Sequence, residues 1–248
     1  MANLTRLNIV PVLASAVSLL VVATTSGAQE RPPAAVQMSK AYGLDSFGQV
    51  EKIRFTFNLE FPGLKLARTW EFEPKTDQIS YEGKDKDGRP VKLTYNRSRL
   101  GSESDAVKNE IEPAFTNDEY WLFFPLHVAW DTSAKVTDEG LQKLPQGEGS
   151  AKRVVVKYPS DGGYAPGDTW ELYVAEDHQV KELVYHAGAP GVQKRPNLLA
   201  VTWAGHKKAG PLLISTDHVG TADGKPVRVF LTDVAVKVTG SDGWIDAK

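Results

Sequence analysis

From Glu51 onward the chain alternates between apolar and polar side chains. Ile53, Phe55, Phe57, Leu59 and Phe61 are separated by Lys52, Arg54, Thr56, Asn58 and Glu60, the period of two that puts one face of a strand into a core. Pro62-Gly63 turns the chain, and Leu64, Leu66, Arg68, Trp70 and Phe72 repeat the pattern. Pro74 to Asp77 and then Asp87-Gly88 are further turn signals, so residues 51–96 predict four strands joined as an antiparallel meander. The second half of the chain predicts strands over 152–158, 169–175, 180–186, 198–206, 211–218 and 227–238. Lys207-Lys208 would be a hairpin tip, and residues 138–149 a polar loop. The expected total is about ten strands.

Two stretches break the alternation. Ala34, Met38, Ala41 and Tyr42 have the spacing of a short amphipathic helix ended by Gly43. Between the two strand regions, Ser104 or Asp105 can cap a helix that runs to Pro113, and Thr116 or Asn117 can cap a second. Asp118 and Glu119 would then sit favourably at its positive end. That second helix should break near Pro125, whose ring clashes with the preceding turn. Residues 117–131 hold two of the six tryptophans and the Phe123-Phe124 pair, so this stretch predicts an apolar plug against the concave face of a sheet.

The N-terminus changes the compartment. Arg6 is followed by an apolar run from Ile9 to Ala23 and then by Ser26-Gly27-Ala28, the order of a signal peptide cleaved before Gln29. The organisation expected is a signal peptide over 1–28 and a single domain over 29–248, periplasmic or secreted and not membrane-spanning. The chain has no cysteine, which excludes disulfides, thiolate metal sites and a lipidated N-terminal cysteine. Its net charge is −2 with both signs scattered, so no basic stripe is available for nucleic acid.

Chemistry-bearing motifs are scarce. The five histidines include His186, His206 and His218 near strand ends and His127 in the central stretch, but none has metal-site spacing. Ser215, Thr216, Asp217 and His218 are neighbours on a strand and would point to alternate faces. No Gly-x-Ser-x-Gly elbow and no phosphate-binding loop is present. No cofactor, metal or catalytic residue is therefore expected. The aromatic set remains: Trp121, Phe124, Trp130, Trp70, Trp170 and Trp203 are the candidates for lining an apolar cavity, as opposed to simple core packing.

Tyr120-Trp121-Leu122, Pro125-Leu126-His127 and Trp130-Asp131, with Gly167 to Val174 after the mid-chain loop, resemble segments of uncharacterised relatives in the outer-membrane lipoprotein carrier superfamily (LolA-like). The resemblance implies a mainly β fold with a few helices (α+β): an unclosed antiparallel β-barrel with helices covering its concave face. It implies an exported binding protein that shelters a lipid, acyl chain or other apolar ligand without covalent chemistry. The alternative on the same scaffold is an envelope-sensing or protein-interaction module with an envelope protein as partner. A histidine-based enzyme ranks behind both.

Overall fold

In the computed structural model, which describes residues 30–85, 87–161, 165–188 and 196–248, the alternating stretches pair into one long antiparallel sheet. The meander is β1 (Val50–Phe61), β2 (Leu64–Glu73), β3 (Gln78–Lys84) and β4 (Pro90–Asn96). After the helical insertion come β5 (Lys135–Lys143), β6 (Ser150–Lys157), β7 (Thr169–Val174), β8 (Val180–His186) and β9 (Leu198–Thr202). A small separate hairpin, β10 (Lys207–Ala209) with β11 (Leu212–Ile214), precedes β12 (Asp217–Ala222), β13 (Lys225–Val238) and β14 (Ile245–Asp246).

The sheet order is β4-β3-β2-β1-β13-β12-β9-β8-β7-β6-β5, with β14 added beside β13. Strand β13 thus joins the two halves, and β4 and β5 remain as edges that do not meet. The architecture is mainly antiparallel β with a few helices, in one large unclosed sheet. A register slip between Arg54 and Thr56, opposite a stretch of β13 where Asp233 has φ 55°, bends this pair as β-bulges do.

The buried face follows the period-two reading. Ile53 pairs with Val236 and Phe72, Phe72 with Ile79, and Ile79 with Tyr95, so one apolar row crosses the first half. Val156, Trp170, Tyr185 and Leu199 make the corresponding row in the second. Inside the curve lies helix α2 (Glu112–Trp130), entered through a π-helical turn at Val107–Ile111. Phe115, Trp121, Leu122, Phe123, Phe124, Leu126 and Val128 are all buried; apolar residues all round a helix mark one enclosed on every side. Helix α1 (Pro33–Ala41) closes over it, and Ser39 Oγ donates to the Pro125 carbonyl at 2.6 Å.

The structure corrects several expectations. The insertion holds one long helix, and neither Pro113 nor Pro125 ends it. Pro113 follows on the π-helical turn of Val107–Ile111 without ending the helix, which runs through Pro125 with non-helical angles only at Phe123 (φ −125°, ψ 15°). Thr116 and Asn117 are interior, so they cap nothing. Asp118 and Glu119 are buried mid-helix, not solvated helix-start residues. Residues 138–143 are not loop but part of edge strand β5, whose register shifts between Asp138 and Leu141 around Gly140 at φ 72°. Lys207 and Lys208 lie in β10, and the predicted 198–206 and 211–218 hairpin is replaced by β9 pairing with β12. The signal-peptide expectation for 1–28 and the loop glycines Gly162, Gly163 and Gly191 lie outside the described residues.

Candidate functional site

Helix α2 is held in the curve by ion pairs that reach the sheet. Arg68 Nε and Nη2 donate to the two Asp118 oxygens at 2.7 and 2.6 Å, and Trp70 Nε1 donates to the same carboxylate at 2.8 Å. Burial raises the pKa of Asp118, while Arg68 opposes that shift. Near the start of α2, Glu112 accepts from Arg97 Nε at 2.7 Å and from the Tyr95 hydroxyl at 2.6 Å. With Asn117 also donating to Asp118 and the Thr116 hydroxyl to Glu112, four hydrogen bonds on Asp118 and three on Glu112 satisfy the carboxylates of a helix face that has lost water.

The bend at Phe123 carries a third cluster. A straight helix would separate Tyr120 and His127 by about 10.5 Å along its axis, yet their rings stack at 3.9 Å. His127 Nε2 lies 3.3 Å from Glu119 and Nδ1 lies 3.2 Å from Asp131. Asp131 also accepts from the Tyr120 and Tyr158 hydroxyls at 2.7 and 2.6 Å. Burial alone would depress the His127 pKa, but Glu119 and Asp131 outweigh it and push the value up to about 9. In return, His127 holds Asp131 below the usual carboxylate range against its burial. The imidazolium is thus a charged clasp across the bend. Its two carboxylates flank opposite ring nitrogens, and among the described residues no group of His, Asp and Glu is placed to hold a metal ion.

Two recesses meet at Trp121 and Asn117. The first is an aromatic pocket of about 40 Å³ bounded by Tyr120, Trp121, Phe124, Trp170, Trp203 and Asp168. Its rings form two groups: Phe124 contacts Trp170 at 4.6 Å and Tyr120 at 5.9 Å, while Trp121 stacks on Trp203 at 6.0 Å. Beneath the second group lies His218, fully buried with its ring 4.1 Å from Trp203. Burial lowers its pKa to about 3, so this strand-end histidine is neutral core and not solvated. At the pocket rim, Asp168 Oδ1 accepts from Gly188 N at 2.9 Å. The second recess is a groove of about 430 Å³ beside the paired strands β1 and β13, where Phe57, Leu59, Phe61, Leu64, Val227 and Val229 line a largely apolar trough next to Trp121.

Several solved structures are similar to this chain over most of its length. A DUF1329 family protein from Desulfovibrio piger matches over 85% of this chain and 95% of its own, at 10% identity and a TM-score of 0.44. An outer membrane lipoprotein-sorting protein domain from Vibrio parahaemolyticus matches over 84% and 92%, at 11% identity and a TM-score of 0.44. Lipoprotein LppX from Mycobacterium tuberculosis matches over 82% and 96%, at 7% identity and a TM-score of 0.30. Likeness at this level says nothing of a ligand. No protein-family model and no curated protein matches the sequence.

Of the six aromatic candidates, Trp121, Phe124, Trp170 and Trp203 come together around the pocket. Trp70 and Trp130 do not. Trp70 is fully buried between Tyr81 and Phe115 with its N–H on Asp118, and Trp130 packs against Phe47 and His127. The groove residues of β1 and β13 were absent from the candidate set. The signal for them was present in the alternation itself, which continues through Leu59 and Phe61 past the point where α2 covers the sheet. No helix among the described residues is long and apolar enough to cross a membrane.

Proposed function

We propose that this chain is an exported binding protein that shelters the apolar part of a lipid or similar small molecule in the groove between β1, β13 and Trp121, without covalent chemistry. The observation that carries the reading is the groove itself. Its volume of about 430 Å³ lies within the roughly 300–1,000 Å³ of small-molecule sites. Leu64 is still 46% exposed at its mouth. The aromatic pocket, at about 40 Å³, holds too little space for an acyl chain. The signal-like N-terminus supports a periplasmic or secreted location, and His127, enclosed by two carboxylates, supports a structural rather than a catalytic role for that histidine.

The test is titration of delipidated protein with a fluorescent fatty-acid analogue. Leu64→Ser changes a half-exposed side chain, so the melting temperature should stay near wild type while binding weakens several-fold. Absence of binding by any acyl probe, or identical binding by Leu64→Ser and Leu59→Asn variants, would refute the groove assignment. The envelope protein-interaction reading would then take its place.

A further inference from the structure

We propose that the groove beside β1 and β13 takes a single-chain amphiphile with an anionic head, and that Lys225 at its mouth holds that head. The inference rests on the groove reading above and adds the class of ligand. Lys225 opens β13 and has the same parity as Val227 and Val229, so it extends their row on the concave face. Both valines are buried groove residues, whereas Lys225 is exposed at the end of the row. The register Leu59↔Val229 and Glu60↔Arg228 sets the β1–β2 turn beside this end of β13. A chain lying along the apolar row meets an ammonium group where the row runs out.

The other charges around the mouth are already committed. Lys65 is tied to Glu60 at 2.9 Å and Arg228 to Asp217 at 2.8 Å. Asp223 also lines the groove, but its carboxylate accepts from the Asn197 amide at 3.0 and 3.1 Å and from the Leu198 amide at 2.9 Å. Those bonds turn it onto the backbone at the start of β9. Among the described residues the Lys225 ammonium has no partner. Asn117 is neutral, with its amide nitrogen on Asp118 at 3.0 Å, and the Trp121 indole offers only a donor. Donors and a free ammonium suit an anion and leave a cationic head without a partner. The apolar lining beside Lys225 lowers the local dielectric, which strengthens that attraction relative to open water.

Volume limits the tail. A methylene takes up about the space of a water molecule, roughly 30 Å³, so the groove of about 430 Å³ holds on the order of a dozen carbons. That is one chain, with no room for a second of the same length. The chain supplies affinity, and Lys225 selects the head.

The experiment is calorimetric titration of delipidated protein with dodecanoate and with dodecan-1-ol, at about pH 8, where the carboxylate is ionised. The two ligands share a chain, so the ratio of their affinities reports the head alone. Lys225→Met keeps the unbranched stem and removes the charge. It should lower the dodecanoate-to-dodecanol ratio about fivefold at low salt, the upper end for one partly exposed ion pair, and by less at about 0.5 M salt. Lys65→Met removes an equal charge nearby, but one already paired with Glu60, and should leave the ratio near wild type. Dodecyl phosphate, measured alongside, separates a phosphate head from a carboxylate, and its ratio to dodecanol should fall in Lys225→Met in the same way. Both variants change exposed side chains, so their circular dichroism spectra and melting temperatures should match wild type. An unchanged ratio in Lys225→Met, or an equal fall in Lys65→Met, overturns the assignment, while dodecanol binding then leaves the groove reading standing. Binding of none of these ligands by folded wild-type protein overturns both.

Discussion

The charged clasp at the bend of α2 should make stability fall as pH rises above neutrality. His127 is 8% exposed and sits between Glu119 and Asp131. Its pKa is about 9 in the folded chain, against 6.5 for the free side chain. A folded pKa above the unfolded one means that the native state holds the proton more tightly. The extra stability is therefore fully present below pH 6.5, declines as the unfolded chain alone loses its proton, and is gone above about pH 9. At about 1.4 kcal/mol per unit, the difference corresponds to about 3 kcal/mol, a substantial part of the stability of an ordinary domain. The assay is urea unfolding at constant ionic strength from pH 6 to pH 9.5, on wild type and on His127→Gln. The variant will be less stable at neutral pH, because Glu119 and Asp131 lose their cation. The decisive quantity is the slope: wild type should lose about 3 kcal/mol more than the variant across the window. Other groups titrating in this range cancel in the comparison, and His218 stays out of it with a pKa near 3. Parallel pH profiles, or an NMR titration placing His127 below 7, would refute the assignment.

Asp118→Ala strands Arg68 and the Trp70 N–H, and should cost about 3 kcal/mol in chemical denaturation. Asp118→Leu combined with Arg68→Met should recover the part of that loss due to Arg68, since an apolar pair replaces a buried ion pair at little cost, and leave the part due to the unpaired Trp70 N–H. Phe57→Asp puts a carboxylate into a position only 2% exposed, and a cooperative melt near the wild-type temperature would show that this face is not the core. Gly188→Ala drives a Cβ into the Gly167 backbone; the two loops should separate, read as faster proteolytic cleavage around Pro166 with the β-type circular dichroism spectrum preserved.

What could be read from residues alone was whatever repeats locally. One buried face per strand writes itself as a period of two, so β1, β2, β6 and β13 were legible within a residue or two, while β7 and β8, buried on both faces, were bounded by the turn between them. Strand β5 was not, because an edge strand exposed on both faces buries only Val136 and leaves no alternation to see. Pro125 was read by its local penalty, yet the helix passes through it. The tertiary structure decided this: α1 lends a hydrogen bond at Pro125 and His127 clasps the bend. Asp118 and Glu119 carried only their helix-start preference in sequence, since the partner Arg68 lies 50 residues away. The same distinction governs the candidate site. Composition marks every tryptophan alike, but only the sheet's register brings Trp170 and Trp203 beside Trp121 while sending Trp70 and Trp130 into packing. Contacts between distant segments depend on how strands pair and where the helix crosses them, and a sequence window contains neither.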